Sequence, residues 1–283
     1  MSRPGPYAGQ RVALLTQHGK ERVIAPVLDP GLGCTVQLVS GFDTDLLGTF
    51  TREIPREGTQ VEAARRKARQ GMALSGLPLG LASEGSFGPD PFTGMFPWNV
   101  EVLVWIDDAQ GLEVVGVAQG PARNGHVHSN AWADIEAFAQ REGFPRQQLV
   151  IRPDDEDGPP LHKGVADWAL LRRGFDEALA QSRQGRVFVE HDLRAFAHPE
   201  RMARIGQAAQ DLLQRLRSVC PACGAPGFGV SHREPGLPCA DCGSPTSSYR
   251  SEVWRCPCCA HQTDRPRTDR LTAEPAHCGQ CNP

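Results

Sequence analysis

Four Cys-x-x-Cys pairs crowd the end of the sequence: Cys220/Cys223, Cys239/Cys242, Cys256/Cys259 and Cys278/Cys281. Each pair sets two thiolates on a tight turn, and two pairs make the tetrahedral sulfur site that zinc prefers. Eight thiolates therefore fit two structural zinc ions. An iron–sulfur cluster uses the same ligands, but four evenly spread pairs suit two separate zinc sites better. Gly224 and Gly243 follow two of the pairs, where a knuckle needs a permissive backbone. Spacing leaves open which pairs share a metal: sequential pairing gives two ribbons in series, alternate pairing a cross-brace. Cys258 is a spare thiol between two ligands, and Cys34 reads as a small buried apolar residue. His232, His261 and His277 are further potential ligands, although the thiols already complete the count. A closed tetrathiolate has no open position for water, so the tail is expected to be a fold staple rather than a reaction centre.

A second concentration of chemistry runs from Asp43 to Pro91. Its polar residues cluster at the ends of expected elements, where sites on α/β scaffolds usually lie. Glu62 and Arg66 have the i,i+4 spacing of a helical ion pair. Ser83-Glu84-Gly85-Ser86 follows an apolar run; it reads either as a turn or as a place where a carboxylate and hydroxyls among glycines hold a hydrated metal and phosphate. Of the 30 basic residues only Lys20, Lys67 and Lys163 are lysine. In so arginine-rich a chain, a retained lysine points to a role that a guanidinium does not fill. Glu190, Asp192, Arg194 and Arg201, with Lys163, form a second tier of candidates whose alternative role is capping. His126 and His128 have ligand spacing on a strand, or lie in a surface loop. No nucleophile–histidine–acid triad is evident.

Elements must position these residues. Arg11–Thr16, Cys34–Val39, Asn99–Ile106, Leu112–Ala118, Gln148–Arg152 and Arg186–Glu190 read as strands, the middle two joined by a turn at Asp107–Gly111. Helical stripes fall over 59–74, 129–141, 165–181 and 199–217, with Thr59 as a cap and Pro199 in the first turn. Together they predict an α/β domain over residues 1–217, a mixed sheet with flanking helices. At Ser218 the texture shifts to Cys, Gly and Pro, which marks a two-zinc Cys-rich module over 218–283. Arg152–Pro160 is expected to be a solvated acidic loop.

Composition excludes several classes. Hydrophobic residues make up 40%, charged residues 22%, and the net charge is -3, the balance of an ordinary globular protein with no global pull toward nucleic acid or anionic membrane. No apolar run reaches the ~18 residues of a membrane span, and the first ten residues lack a signal-peptide core. A reducing cytoplasm is the expected compartment, where clustered thiols bind metal rather than form disulfides. In the tail, six arginines from Arg233 to Arg270 face six acidic residues from Glu234 to Glu274, which gives no electrostatic footprint for nucleic acid.

Glu62, Lys67-Ala68, Gly76-Leu77-Pro78 and Glu84-Gly85 occur in the order found in the inosine/xanthosine triphosphate pyrophosphatase and Maf superfamily, which the first third of the chain resembles. Thr16 to Lys20 (TQHGK) resembles that superfamily's nucleotide-gripping loop, one residue shorter and with His18 in place of asparagine. Ser83-Glu84 stands where paired aspartates are usual, and the Ser-His-Arg base-recognition signature is not evident. The resemblance implies that Thr16, His18 and Lys20 bind phosphates. It implies that Glu62 and Glu84 hold Mg²⁺ and that Lys67 stabilises developing charge. Arg52, Arg56, Ser83, Ser86, Lys163 and Arg194 would complete a site for a nucleotide or other phosphorylated small molecule. Taken whole, the chain is similar to an uncharacterised bacterial family with GTFTREIPR, ASEGSFGP and HPxRM segments and a CPxCG tail. The expected function is metal-dependent hydrolysis or binding of a nucleotide phosphoanhydride; the alternative is a non-enzymatic adaptor whose zinc module contacts protein or nucleic acid.

Overall fold

The computed structural model describes residues 5–43 and 58–283. The chain divides into two compact units, Met1–Asp107 with Val115–Leu213, and Asp108–Val114 with Gln214–Pro283. Among the described residues no helix is long and apolar enough to cross a membrane.

The first unit is built around a five-stranded mixed sheet in the order β2-β1-β3-β4-β5. Its strands are β1 (Arg11–Leu15), β2 (Thr35–Val39), β3 (Leu79–Pro89), β4 (Pro97–Asp107) and β5 (Leu112–Pro121). β1 lies parallel to both β2 and β3, and β3 runs antiparallel to β4. Four of the five residues of β1 are buried, as expected of a central strand covered on both faces. On one face lies α2 (Gln60–Ser75), which packs Ala64, Ala68 and Met72 onto Ala82, Val102, Val104 and Ile106. The packing is close enough that a Cβ on Gly80 would meet the Met72 sulfur at 2.5 Å. α1 (Glu21–Leu32) and α5 (Pro199–Arg217) lie against each other: a Cβ on Gly31 would meet Leu213 at 2.6 Å, and one on Gly116 of β5 would meet Leu212 of α5 at 2.5 Å.

A second sheet in the same unit, order β6-β9-β7-β8, is antiparallel throughout. It comprises β6 (His126–Ser129), β7 (Leu149–Pro153), β8 (His162–Val165) and β9 (Val187–His191). α3 (Trp132–Arg141) and α4 (Trp168–Gln181) cover it and bury Ile135, Phe138, Leu171 and Phe175 against Leu149, Ile151, Val187 and Val189.

Three local features that the sequence left open are settled by the fold. Residues 21–32 form a helix although Pro26 and Pro30 lie inside it. Both prolines are exposed, while Ile24 and Leu28 are buried, so the carbonyls that lose their amide partners lie on the wet side. Ser83–Gly88 is not a turn but the second half of β3, paired residue by residue with β4. His126 and His128 lie in a strand, exposed beside Phe188. Cys34 is buried as expected, and burial pushes its thiol up to about 11.

The second unit carries a three-stranded sheet of β10 (Gly229–Pro235), β11 (Tyr249–Arg255) and β12 (Gln262–Pro266). Its core is small: Phe228 and Trp254 pack against Cys220, Cys256 and Cys259, with Leu237, Val253 and Ala273 also buried, the kind of core that needs a staple.

Candidate anion site and metal centres

β1 has β2 on one side and β3 on the other: the connection through α1 leads from β1 out to β2, and the one through α2 leads from β2 past β1 to β3. Open α/β sheets place ligands in the crevice at such a switch point. The loop leaving β1 there is Thr16–Lys20, and α1 begins directly after Lys20, which brings the positive end of a helix to the same place. β3 extends beyond its pairing with β1, so carbonyls on its far half need other donors. Lys20 Nζ donates to Ser83 O at 2.7 Å, and Gln60 Nε2 donates to Glu84 O at 2.7 Å.

The register of β3 on β4 sorts the side chains. Gly85 lies opposite Glu101, and Glu84 lies opposite Val102; directly opposed residues share a face. Glu84 therefore points to the α2 side, where Lys67 Nζ forms an ion pair with its Oε1. Both residues are buried. Glu101 points to the opposite side, where Arg201 Nε on α5 donates to its Oε1 at 2.7 Å. Asn99 Nδ2 donates to the same oxygen at 3.0 Å, and Arg201 Nη1 donates to Leu193 O at 2.5 Å. Gly85 is obligatory here: a Cβ would lie 2.2 Å from Glu101 Oε1 and 2.5 Å from Arg201 Nη2. His198 fixes the base of this arm. Its Nε2 bonds Arg123 O at 2.9 Å while its Nδ1 accepts the Arg201 amide at 3.2 Å. That is the neutral tautomer, in keeping with the lowered pKa that burial gives it.

Arg194 completes the cluster. Its Nε and Nη2 grip Asp192 at 3.0 and 2.5 Å, and the buried Asp192 also accepts the Gly164 amide at 3.0 Å. Lys163 stands next to Gly164 on β8 with its side chain exposed. His18 senses the assembly: burial first, then the charges of Lys20, Arg201, Arg194 and Lys67, push its pKa down to about 4. Lys20 is 5% exposed. Burial and the nearby Arg201 pull it down to about 7, against the attraction of Glu84 and Glu101. Lys67, Arg194 and Arg201 each have a carboxylate; among the described residues Lys20 has a carbonyl. Among the described residues the cluster thus holds four cations against three paired carboxylates.

Of the residues expected at a site, the structure brings together His18, Lys20, Lys67, Ser83, Glu84 and Arg194, with Thr16 in the same loop. Ser86 is near α2, where its hydroxyl donates to Gln60 Oε1 at 3.2 Å. Glu62 is not among them. Its carboxylate closes the capping box of α2, accepting from Thr59 N at 2.7 Å and Thr59 Oγ1 at 2.9 Å, and it is exposed. The two-carboxylate Mg²⁺ set of Glu62 and Glu84 is therefore not assembled. Arg52 and Arg56 lie outside the described residues. Sequence reasoning passed over Glu101 and Phe196. The signal for Glu101 was an acid in the apolar alternation of β4, on the face that carries Gly85.

The cysteines form two compact groups: Cys220, Cys223, Cys256 and Cys259, and Cys239, Cys242, Cys278 and Cys281, with all sulfurs of each group within 4.8 Å of one another. The pairing is alternate, the cross-brace. Sulfurs around a tetrahedral zinc at about 2.3 Å are about 3.8 Å apart; the closest pairs here are 3.6–3.9 Å apart. The groups can hold metal ions. The two Gly-bearing knuckles share one construction: Gly224 N bonds Cys220 O at 2.8 Å and Gly243 N bonds Cys239 O at 3.0 Å, each glycine with φ near +70°. Amides of Ala222, Cys258 and Cys259 point at ligand sulfurs. Cys258 and the histidines belong to neither group.

Among curated proteins none matches the chain. A family model described as a domain of unknown function, DUF6671, matches residues 67–283, a span that runs from the middle of α2 through β3–β5, the second sheet and all eight paired cysteines. The chain belongs to the DUF6671 family.

Proposed function

We propose that the first unit binds the phosphate chain of a nucleotide at the end of β1 and hydrolyses a phosphoanhydride there, and that two structural zinc ions hold the tail. The observation that carries the reading is that the charges of Lys20, Lys67, Arg194 and Arg201 all bear on His18, and that among the described residues three carboxylates pair with these four cations. An anion is what this arrangement lacks. Burial strengthens its attraction to phosphate oxygens, and the start of α1 adds backbone N–H groups. Among the described residues, Ser83 Oγ, Asn99 Oδ1 and Glu101 Oε2 are buried without a hydrogen-bond partner, and buried polar atoms of that kind ordinarily meet water or ligand.

In the hydrolysis, a water oxygen forms a bond to phosphorus as the bridging P–O bond breaks; the electron pair leaves with the departing phosphate, and the proton that the water loses passes to that phosphate or to solvent. Negative charge grows on oxygens facing Lys20 and Lys67, whose positive charge lowers the barrier. Mg²⁺ would supply further Lewis-acid charge, carried chiefly by the ligand's own phosphates with Glu84 as the single protein carboxylate. The zinc reading follows from donor chemistry: four thiolates at tetrahedral spacing, with no open position, make a structural centre.

Pyrophosphate or phosphate release from a panel of nucleotides with Mg²⁺ tests the hydrolase. Turnover abolished in Glu84→Gln, with an unchanged circular dichroism spectrum, is expected. A panel that shows neither turnover nor a rise in melting temperature removes the proposal.

A further inference from the structure

One aromatic side chain at the cluster has no place in the core. Phe196 is 44% exposed, while its neighbours Ala195 and Ala197 are fully buried. The three form a short 3-10 turn. It is closed by Ala197 N donating to Arg194 O at 3.0 Å and tied to Gln148 from both sides, Gln148 N donating to Ala197 O at 3.0 Å and Asp192 N donating to Gln148 O at 2.9 Å. The exposure of the ring is thus imposed by a rigid turn rather than left to a loose loop. Its neighbours are also fixed. The Arg194 guanidinium carbon lies 4.8 Å from the ring centroid while its nitrogens are held by Asp192. The His18 imidazole lies 5.7 Å away on the other element, tilted by 54°. These are planar groups: a phenyl ring half open to solvent, a guanidinium with its fork occupied, and an imidazole. His18 and Arg194 are also members of the cation cluster, so the rings border the place where phosphates would lie.

We propose that Phe196, flanked by Arg194 and His18, is the stacking surface for the heterocyclic base of the ligand, so that the site takes nucleotides rather than inorganic polyphosphate or sugar phosphates. This rests on the anion-site reading above. A flat heterocycle gains by covering an exposed phenyl ring, and the adjacent guanidinium and imidazole offer faces of the same kind. Stacking accepts any base, because every base has a π-face. Nothing in the trio supplies a hydrogen-bond code, so discrimination between bases is expected to be weak and discrimination between base and no base strong.

Binding of ATP, GTP, CTP and UTP is compared with that of inorganic tripolyphosphate, all with Mg²⁺, by calorimetry on the full chain. The wild type is expected to favour each nucleotide over tripolyphosphate by on the order of 10- to 100-fold. Phe196→Ala is expected to erase that preference while leaving tripolyphosphate affinity unchanged; Phe196→Tyr is expected to keep it. Equal affinity for nucleotides and tripolyphosphate in the wild type overturns the base subsite and leaves the anion site standing. So does a Phe196→Ala variant that weakens both ligands equally, since that marks a structural role. Failure of nucleotides and tripolyphosphate alike to bind removes the anion-site reading, and the base subsite with it.

Discussion

Replacing Lys20 by methionine is expected to make the protein more stable and unable to bind its ligand. Burial takes the ammonium from 10.5 to about 7. At about 1.4 kcal/mol per unit, that displacement disfavours the folded state by about 4–5 kcal/mol at or below pH 7. Methionine fills a similar volume without charge, but it leaves Ser83 O without its donor, at a cost of about 1–3 kcal/mol. The balance favours the variant by about 2 kcal/mol, or about 4–8 °C in melting temperature for a unit of this size. The sign of the pH dependence is fixed. Between pH 7 and 10.5 the unfolded chain holds the proton and the folded one does not, so wild-type stability rises with pH through that window. The advantage of the variant should therefore shrink by about 2–3 kcal/mol from pH 7 to pH 9. Urea unfolding of both proteins at the two pH values, with metal retained, measures the effect. A variant less stable than wild type at pH 7, or a gap that does not change with pH, refutes the argument that this lysine is kept against its burial cost.

Other substitutions separate the parts of the site. Gly85→Ala drives a methyl group into Glu101 and Arg201; separating a buried ion pair costs about 3–5 kcal/mol, and a melting temperature near that of wild type would show that the pair relaxes freely. Glu62→Ala removes one half of the α2 capping box and should lower the melting temperature slightly with nucleotide binding intact; loss of binding would return Glu62 to the site. Metal analysis should find two zinc ions per chain, and Cys223→Ser should lose at least one together with protease resistance across both interleaved groups; a variant that retains two ions contradicts the four-ligand assignment.

How much the sequence disclosed depended on whether the informative residues were neighbours along the chain. The tail was legible because each Cys-x-x-Cys pair is a complete local unit whose spacing states its chemistry. The pairing was not legible, since choosing between sequential and alternate partners requires the fold of β10–β12. α5 was readable from Pro199 to Arg217 through its apolar stripe. α1 was hidden because Pro26 and Pro30 argue against a helix unless one knows that they face solvent. The glycines of β3 suggested a turn, whereas Gly85 exists to let Arg201 approach Glu101.

That contact also shows why the site itself was only half visible. Lys20, Lys67 and Glu84 lie in the first third of the chain and could be suspected from the company they keep. Arg201 and Glu101 are 100 residues apart, and each has a bland local explanation, a charge in the first turn of a helix and an acid on a strand. Only the fold makes them partners. The segment from Asp192 to Arg201 supplies Arg194, Phe196, His198 and Arg201 from one stretch of backbone, and every one of them touches the cluster or holds a residue that does. A strand end with two lysines is a common feature of α/β sheets. What makes this one a candidate site is the segment that follows β9 of the other sheet, which adds two arginines, the carboxylate of Asp192 and an exposed ring. If the proposal holds, the residues that decide the ligand belong to that segment rather than to the loop after β1.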